Sequence, residues 1–411
     1  MNGFILNAGY LIAAGVTAPW WMRKNRGGWR ERFGHVAPLP PKTARRVLVH
    51  GVSVGEVNLL RPLIEALRSD GEREPVVSST TDTGIARARA LFEPEVPVVR
   101  YPLDSSGAVR RFLDAVRPDL VLLAELEVWP NFLGACARAG VPVAVVNGRL
   151  SERSFRRYHA LRGVVGGMFR ELSFVCAQDE TYAERFRAMD AARGRVFAVG
   201  TMKWDSAASG VEPAPAEALA RELGVDRDRP LVVAGSTAPD EHALLHEAVP
   251  EDVQLLCAPR KPEWFEGAAA HLPGCVRRSA RTPKAGATRF LLDTIGELRA
   301  AYALADVVVV GRSFGDLHGS DPMEPAALAK PVIIGPRFGD FEHVTRALVA
   351  DDAILISARE SLERDLGGLL ADPARREALG AAGKASVERH RGATERTLEL
   401  VLPLLGPEVR A

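Results

Sequence analysis

Polar residues able to bind an anion or take up a proton recur in this chain directly after short apolar runs. Ser53, Gly55 and Glu56 follow the first run, in HGVSVGE; then come Thr83 with Gly84, Glu125 with Glu127, Ser236 with Thr237, and Arg260 with Lys261. Carboxylates accept hydrogen bonds and a guanidinium donates them as a planar charged fork, so both halves of a polar binding site are present. Any one cluster could be ordinary loop chemistry. Their recurrence in both halves of the chain places polar groups along both walls of one crevice. A further carboxylate, Glu324, stands in HGSDPMEPAALAKPVIIGP. There Asp321 reads as a helix N-cap, Pro322 as the first helical residue and Glu324 as the third, which is a capping box. Capping alone would account for Glu324, and a ligand role stays open beside it. Ser236 and Thr237 likewise precede the helical stretch DEHALLHEA. Its free amides favour an anion, and an ordinary N-cap accounts for them equally well.

The elements that must position these residues are legible as an alternation of β-branched runs with Ala/Leu/Arg-rich helical stretches, the pattern of parallel sheets covered on both faces. The first set of strands is RVLVHGVSVGE, PVVSSTTDTG, PVVRYPLD, LVLLAELE, PVAVVNGR, SFVCAQDE and VFAVGT; the second is PLVVAGST, VQLLCAPR, RFLLDT, DVVVVG, PVIIGP and AILIS. Two doubly wound, Rossmann-like α/β domains facing a cleft follow, with ligands expected beyond the carboxyl ends of the strands. The expected boundaries are 23–205 for the first domain, 206–216 for a Ser/Ala/Pro-rich linker, 217–390 for the second domain, and 391–411 for a C-terminal helix that could pack back on the first.

Composition narrows the function. The chain has 411 residues, 47% hydrophobic and 26% charged, which is ordinary globular composition for about two domains. Lys plus Arg number 53 against 52 Asp plus Glu, so no overall field draws nucleic acid. Cys136, Cys176, Cys257 and Cys275 are widely spaced, without a zinc or disulfide pattern, and point to a reducing compartment. His242 and His246 lie one helical turn apart without an evident third metal ligand, so a partly exposed helix face is expected. GAAGKAS lacks the P-loop order, no G-x-G-x-x-G follows the first strand, and Asp226-Arg227-Asp228 reads as a solvated turn. Trp129 is assigned to the core.

Residues 1–22 are set apart: from Phe4 to Met22 there is no charge, and the run ends in a Trp pair. A stretch of about 17 to 25 such residues can cross a bilayer. The segment Arg23 to Arg46 is rich in Lys and Arg with a single acid, Glu31, which favours the cytoplasmic side near anionic lipid. A hydrophobic anchor helix, spanning or interfacial, is expected at 1–22.

Taken in order, these segments resemble the bacterial Kdo transferases, which attach 3-deoxy-D-manno-octulosonic acid (Kdo) to a lipid A precursor. HGVSVGE is similar to the family's first-strand loop, SSTTDTG to its Thr-rich loop, ELEVWPN to E-T-E-L-W-P-N, and VNGRLSERS to N-A-R-L-S-x-R-S; AQDE, VGTMKWD, GST, APRKPEWF and DTIGEL follow in family order. The resemblance implies a GT-B fold with an acceptor-binding first domain and a CMP-Kdo-binding second domain. It also implies an inverting transfer to lipid IVA in lipopolysaccharide core synthesis at the cytoplasmic face of the inner membrane. No metal or other cofactor, nucleic acid or protein partner is expected.

Carried over residue by residue, the resemblance makes Glu31 in GGWRERFG the catalytic base, where the residues alone would read it as a surface partner of Arg30 or Arg32. It makes Ser53, Gly55, Glu56, Thr83, Gly84, Glu125 and Arg149 the acceptor side. On the donor side it implies Ser236, Thr237, Arg260, Lys261, Thr294, Gly296, Glu297, Ser313 and Glu324, with Arg260 on the phosphate and Glu324 on the ribose. The chain departs from the family pattern at Asp82, where Pro is usual, and at Lys261, Arg312, His318, Ser320 and Asp321, so a changed donor is an alternative. A nucleotide-sugar epimerase also uses two such domains, and a catalytically silent membrane scaffold is a third reading; turnover of a CMP-sugar separates these from a transferase.

Overall fold

Short apolar runs that read as buried strands form two seven-stranded sheets in a computed structural model describing residues 27–208 and 213–406. The first holds β1 (Arg45–His50), β2 (Arg73–Ser79), β3 (Val98–Arg100), β4 (Leu120–Ala124), β5 (Val143–Gly148), β6 (Phe174–Ala177) and β7 (Val196–Ala198) in the order 3-2-1-4-5-6-7. The second holds β8 (Leu231–Thr237), β9 (Gln254–Pro259), β10 (Val276–Arg277), β11 (Arg289–Leu291), β12 (Val307–Val310), β13 (Val332–Ile334) and β14 (Leu355–Ile356) in the order 10-11-9-8-12-13-14. Pairings in both are parallel. Strand β10 was not expected: two residues at a sheet edge are too few to show a period.

The chain order reverses between β1 and β4 in one sheet and between β8 and β12 in the other, so each sheet has a switch point where a ligand can enter beyond the strand ends. Burial on both faces explains the unbroken apolar runs. Val121 and Leu123 of β4 join a cluster with Phe112 and Phe132, whereas Leu120, Leu122 and Ala124 join Leu63, Ile64 and Leu67 on the opposite face. That alternation is the two-residue period of a strand between two helical layers.

Two compact units result, one running to Ser206 and resuming at Arg391, the other Ala207–His390. The helix Ala393–Val401 belongs to the first, because Ala393 and Val401 are buried with Val47 and Val49 and the Asp205 carboxylate accepts the Gly392 and Thr394 amides, both at 2.7 Å. Within the stretch 206–216, the helices Lys203–Ala208 and Pro213–Leu223 cover 206–208 and 213–216, and 209–212 lie outside the described residues. The expected anchor, 1–22, lies outside the described residues; within them no helix is long and apolar enough to cross a membrane.

Candidate active site

Glu31 sits on a single helical turn, Trp29–Arg32, entered through Gly28 at φ 68°. Only glycine fits there, since a Cβ would lie 2.3 Å from Arg100 Nε. Arg100, at the end of β3, donates from Nε to Glu31 Oε2 at 3.2 Å, and Arg89 Nη2 lies 3.7 Å from Glu31 Oε1. Glu31 is thus paired with residues distant in sequence, not with Arg30 or Arg32. Asp82, in the first turn of the helix Asp82–Phe92, accepts from the Gly27 amide at 3.2 Å and from Arg32 Nη2 at 3.3 Å, and pairs with Arg100 Nη1 at 2.8 Å. Burial pushes the Asp82 carboxyl up, but the Gly27 amide, Arg100 and Arg32 outweigh it and hold the group below the usual carboxylate range.

At the β1/β4 switch point, Ser53 caps the helix Val54–Leu59, with Gly55 exposed beside it. Glu56 accepts from the Val52 amide at 2.9 Å and from Ser53 Oγ at 3.0 Å. Glu125 follows β4 at φ 55°, a left-handed conformation costly for a residue with a side chain. Burial raises the Glu56 and Glu127 carboxyls, and the charge of Glu125 adds to both shifts. Trp129 is 41% exposed and its indole N–H donates to Glu127 at 2.9 Å, so it faces this edge rather than filling the core. Thr83 and Arg149 are exposed. Gly84 is needed for close packing, because a Cβ would fall 2.3 Å from Ser79 Oγ; its amide donates to Thr81 Oγ1 at 3.0 Å.

At the β8/β12 switch point the hydroxyls of two residues expected on the donor side bond within the protein. Thr237 is fully buried, its Oγ1 3.1 Å from His242 Nε2 and 3.3 Å from Cys257 Sγ. Ser313, also fully buried, donates to the Val310 carbonyl at 2.6 Å and accepts from the Gly335 amide at 2.8 Å. Both therefore join strands rather than present oxygen to a ligand. Ser313→Ala is expected to cost about 1–3 kcal/mol in a denaturant titration, through the stranded Gly335 amide, with nucleotide affinity unchanged. His242 is buried as well, not part of an exposed face, and burial foremost, with the charge of His271, lowers its pKa to about 4.

What holds this edge together is Glu241. Fully buried, it accepts the amides of Ala238 and Arg312 on Oε2, both at 2.8 Å, and those of Ser313 and Phe314 on Oε1 at 2.9 and 3.0 Å. Burial raises its pKa while the four amides pull against that rise. Ser236 at φ 56°, in the bulged end of β8, and Arg312 at φ 58°, in the loop after β12, stand beside the two segments it ties.

The charges of Arg260, Asp321 and Glu324 all act on Tyr302. Burial dominates the upward shift of its phenol, with Glu324 and Asp321 adding to it and Arg260 opposing. Tyr302 also abuts the β8 end: a Cβ at Gly235 would meet its hydroxyl at 2.0 Å. The helix here is Met323–Ala327, and Asp321 Oδ1 accepts from the Met323 amide at 2.8 Å. Glu324 is therefore the second helical residue, one short of the capping-box position. Lys261 Nζ lies 4.9 Å from the Trp264 ring centroid and 3.8 Å from Glu263. Thr294 donates to Glu297, which Arg278 Nη2 grips at 2.9 Å, and exposed Gly296 between them has φ 99°. Burial pushes Glu297 up, and the bonds from Arg278 and Thr294 overcome it and leave its pKa lowered.

A family described as 3-deoxy-D-manno-octulosonic-acid transferase (kdotransferase) matches residues 27–206. A 3-deoxy-D-manno-octulosonic acid transferase from Bordetella pertussis is 35% identical over 97% of this chain and 99% of its own length. The chain belongs to the Kdo transferase family. A Haemophilus influenzae member is 31% identical over 91% of both chains. A UDP-GlcNAc 2-epimerase from Neisseria meningitidis bound to UDP-GlcNAc shares the fold alone, with TM-score 0.61 at 12% identity over 87% of this chain and 99% of that one. Two doubly wound parallel sheets in one chain are the GT-B fold of this Kdo transferase family member.

Arg100 and Glu241 were not singled out from the sequence. Arg100 follows PVV in PVVRYPLD, and a lone cation at the carboxyl end of an apolar strand was the available signal. Glu241 stands three residues after Ala238, which carries no capping oxygen, so nothing local marked its role.

Proposed function

We propose that this glycosyltransferase moves Kdo from CMP-Kdo to a lipid A precursor, lipid IVA, with inversion, in lipopolysaccharide core synthesis at the cytoplasmic face of the bacterial inner membrane. The observation that carries this reading is Glu31 on its Gly28-entered turn, at the carboxyl edge of the first sheet and held by Arg100. Glu31 takes the proton of the attacking acceptor hydroxyl while the new O–C bond forms at the anomeric carbon and the CMP phosphate leaves with the bonding electron pair. Arg260 supplies charged donors to that phosphate, and Ser236 stands at the left-handed, bulged end of β8. Glu324 accepts hydrogen bonds from the ribose diol, a pairing suited to a carboxylate. Ser53, Glu56, Glu125 and Arg149 line the acceptor side, with Thr294, Gly296, Glu297 and Lys261 on the donor side. The acceptor's phosphates and acyl chains place the work at a membrane surface, with 1–22 as the anchor.

Mass spectrometry of lipid IVA after incubation with CMP-Kdo and with other CMP-sugars tests the reading. A product heavier by Kdo, formed from CMP-Kdo alone, is the expected result. No lipid product from any CMP-sugar would overturn it.

A further inference from the structure

Two guanidiniums beside Glu31 are almost out of solvent, with the Arg32 and Arg100 side chains 4% and 7% exposed. Arg100 divides its fork between two carboxylates: Nε serves Glu31 at 3.2 Å and Nη1 serves Asp82 at 2.8 Å. Asp82 also fixes the turn that carries Glu31, through the Gly27 amide and through Arg32, whose Nε in turn donates to the Gly27 carbonyl at 3.0 Å. We propose that Asp82 is a positioning residue for proton transfer, which keeps Arg100 paired with an anion while Glu31 changes charge. This rests on Glu31 being the base.

The physical reason is charge balance. When the acceptor hydroxyl gives its proton to Glu31, the carboxylate becomes neutral and Arg100 loses one of its two counter-charges. A buried guanidinium left without an anion is costly, so that cost would count against protonating Glu31 and would weaken it as a base. Asp82 stays ionised throughout the step and removes most of it. Without Asp82, Glu31 is the remaining carboxylate paired with Arg100 and is drawn more tightly into the ion pair. Taking up a proton then costs it more, because an opposite charge favours the ionised form.

The full chain is assayed under single turnover with CMP-Kdo and lipid IVA across pH, as parent, Asp82→Asn, Asp82→Pro and Glu31→Gln. Proline suits the first turn of a helix, so Asp82→Pro removes the carboxylate without demanding a new backbone. In both Asp82 variants the acid limb of the rate profile is expected to move down by about one pH unit. The plateau rate should fall about threefold to tenfold, with the acceptor KM within about twofold. An acid limb that superposes on the parent's in either folded variant overturns the proposal, even if melting temperature and rate both fall, since a structural role lowers the rate without moving the limb. Glu31→Gln separates the two ideas. Near-parental turnover there removes Glu31 as the base and the Asp82 proposal with it, whereas a large loss beside unmoved Asp82 limbs defeats the Asp82 proposal alone.

Discussion

Glu31→Gln is expected to lower Kdo transfer about a hundredfold or more, the scale for loss of a general base, with CMP affinity near that of the parent. Glutamine keeps the shape of the side chain and an oxygen for Arg100 Nε, so the Gly28-entered turn survives the change. Asp82 continues to hold Gly27 and Arg32, and the Leu103 amide still donates to the Arg32 carbonyl, 2.7 Å in the parent. What disappears is the lone pair able to carry the acceptor's proton. Turnover is measured with CMP-Kdo and lipid IVA, and CMP binding by calorimetry in the same preparation. A near-parental rate would move the base to the β1/β4 edge. There Glu125 is the better substitute, because Glu56 already serves the Val52 amide and Ser53 Oγ.

Glu324→Ala and Glu324→Gln are each expected to weaken CMP binding by about 1.5–3 kcal/mol, the scale of a charged hydrogen bond, and to leave the binding of 2′,3′-dideoxy-CMP unchanged. The structure sharpens the contrast with a purely local role. Because the helix starts at Met323, Glu324 is not in the capping-box register, and a helix-dipole contribution of about 0.3–1 kcal/mol to stability is what remains for it there. That contribution would appear in melting curves and not in nucleotide titrations. Calorimetry with both ligands separates the two, and unchanged CMP affinity in well-folded Glu324→Ala would remove Glu324 from the ribose. Tight uridine- or guanosine-nucleotide binding without CMP binding would make Arg312, Ser320 and Asp321 marks of a different donor. Arg312 Nη2 lies 3.6 Å from Asp340, and Ser320 is 5% exposed.

The strands were legible because parallel strands buried on both faces need unbroken apolar runs, as in LVLLA and VVVV, and such runs mark themselves without partners. The glycosyltransferase motifs were legible for a related reason: residues on one loop after one strand are neighbours in sequence, so HGVSVGE and APRKPEWF keep their spacing. Strand order was not legible. Nothing in the runs says that β1 lies between β2 and β4, or β8 between β9 and β12, and those reversals decide which strand ends become a site. Nor does a residue's type say whether its polar atoms are spent. Thr237 and Ser313 were expected on the donor side, and only packing shows that His242, Cys257, Val310 and Gly335 lie against their hydroxyls. Glu31 looked like a partner for the arginines beside it. Its partners are Arg89 and Arg100, because a one-turn helix docked at the end of β3 meets side chains from other strands and helices before its own neighbours. Contacts between residues far apart in sequence depend on how the layers stack, and only the folded chain holds that information.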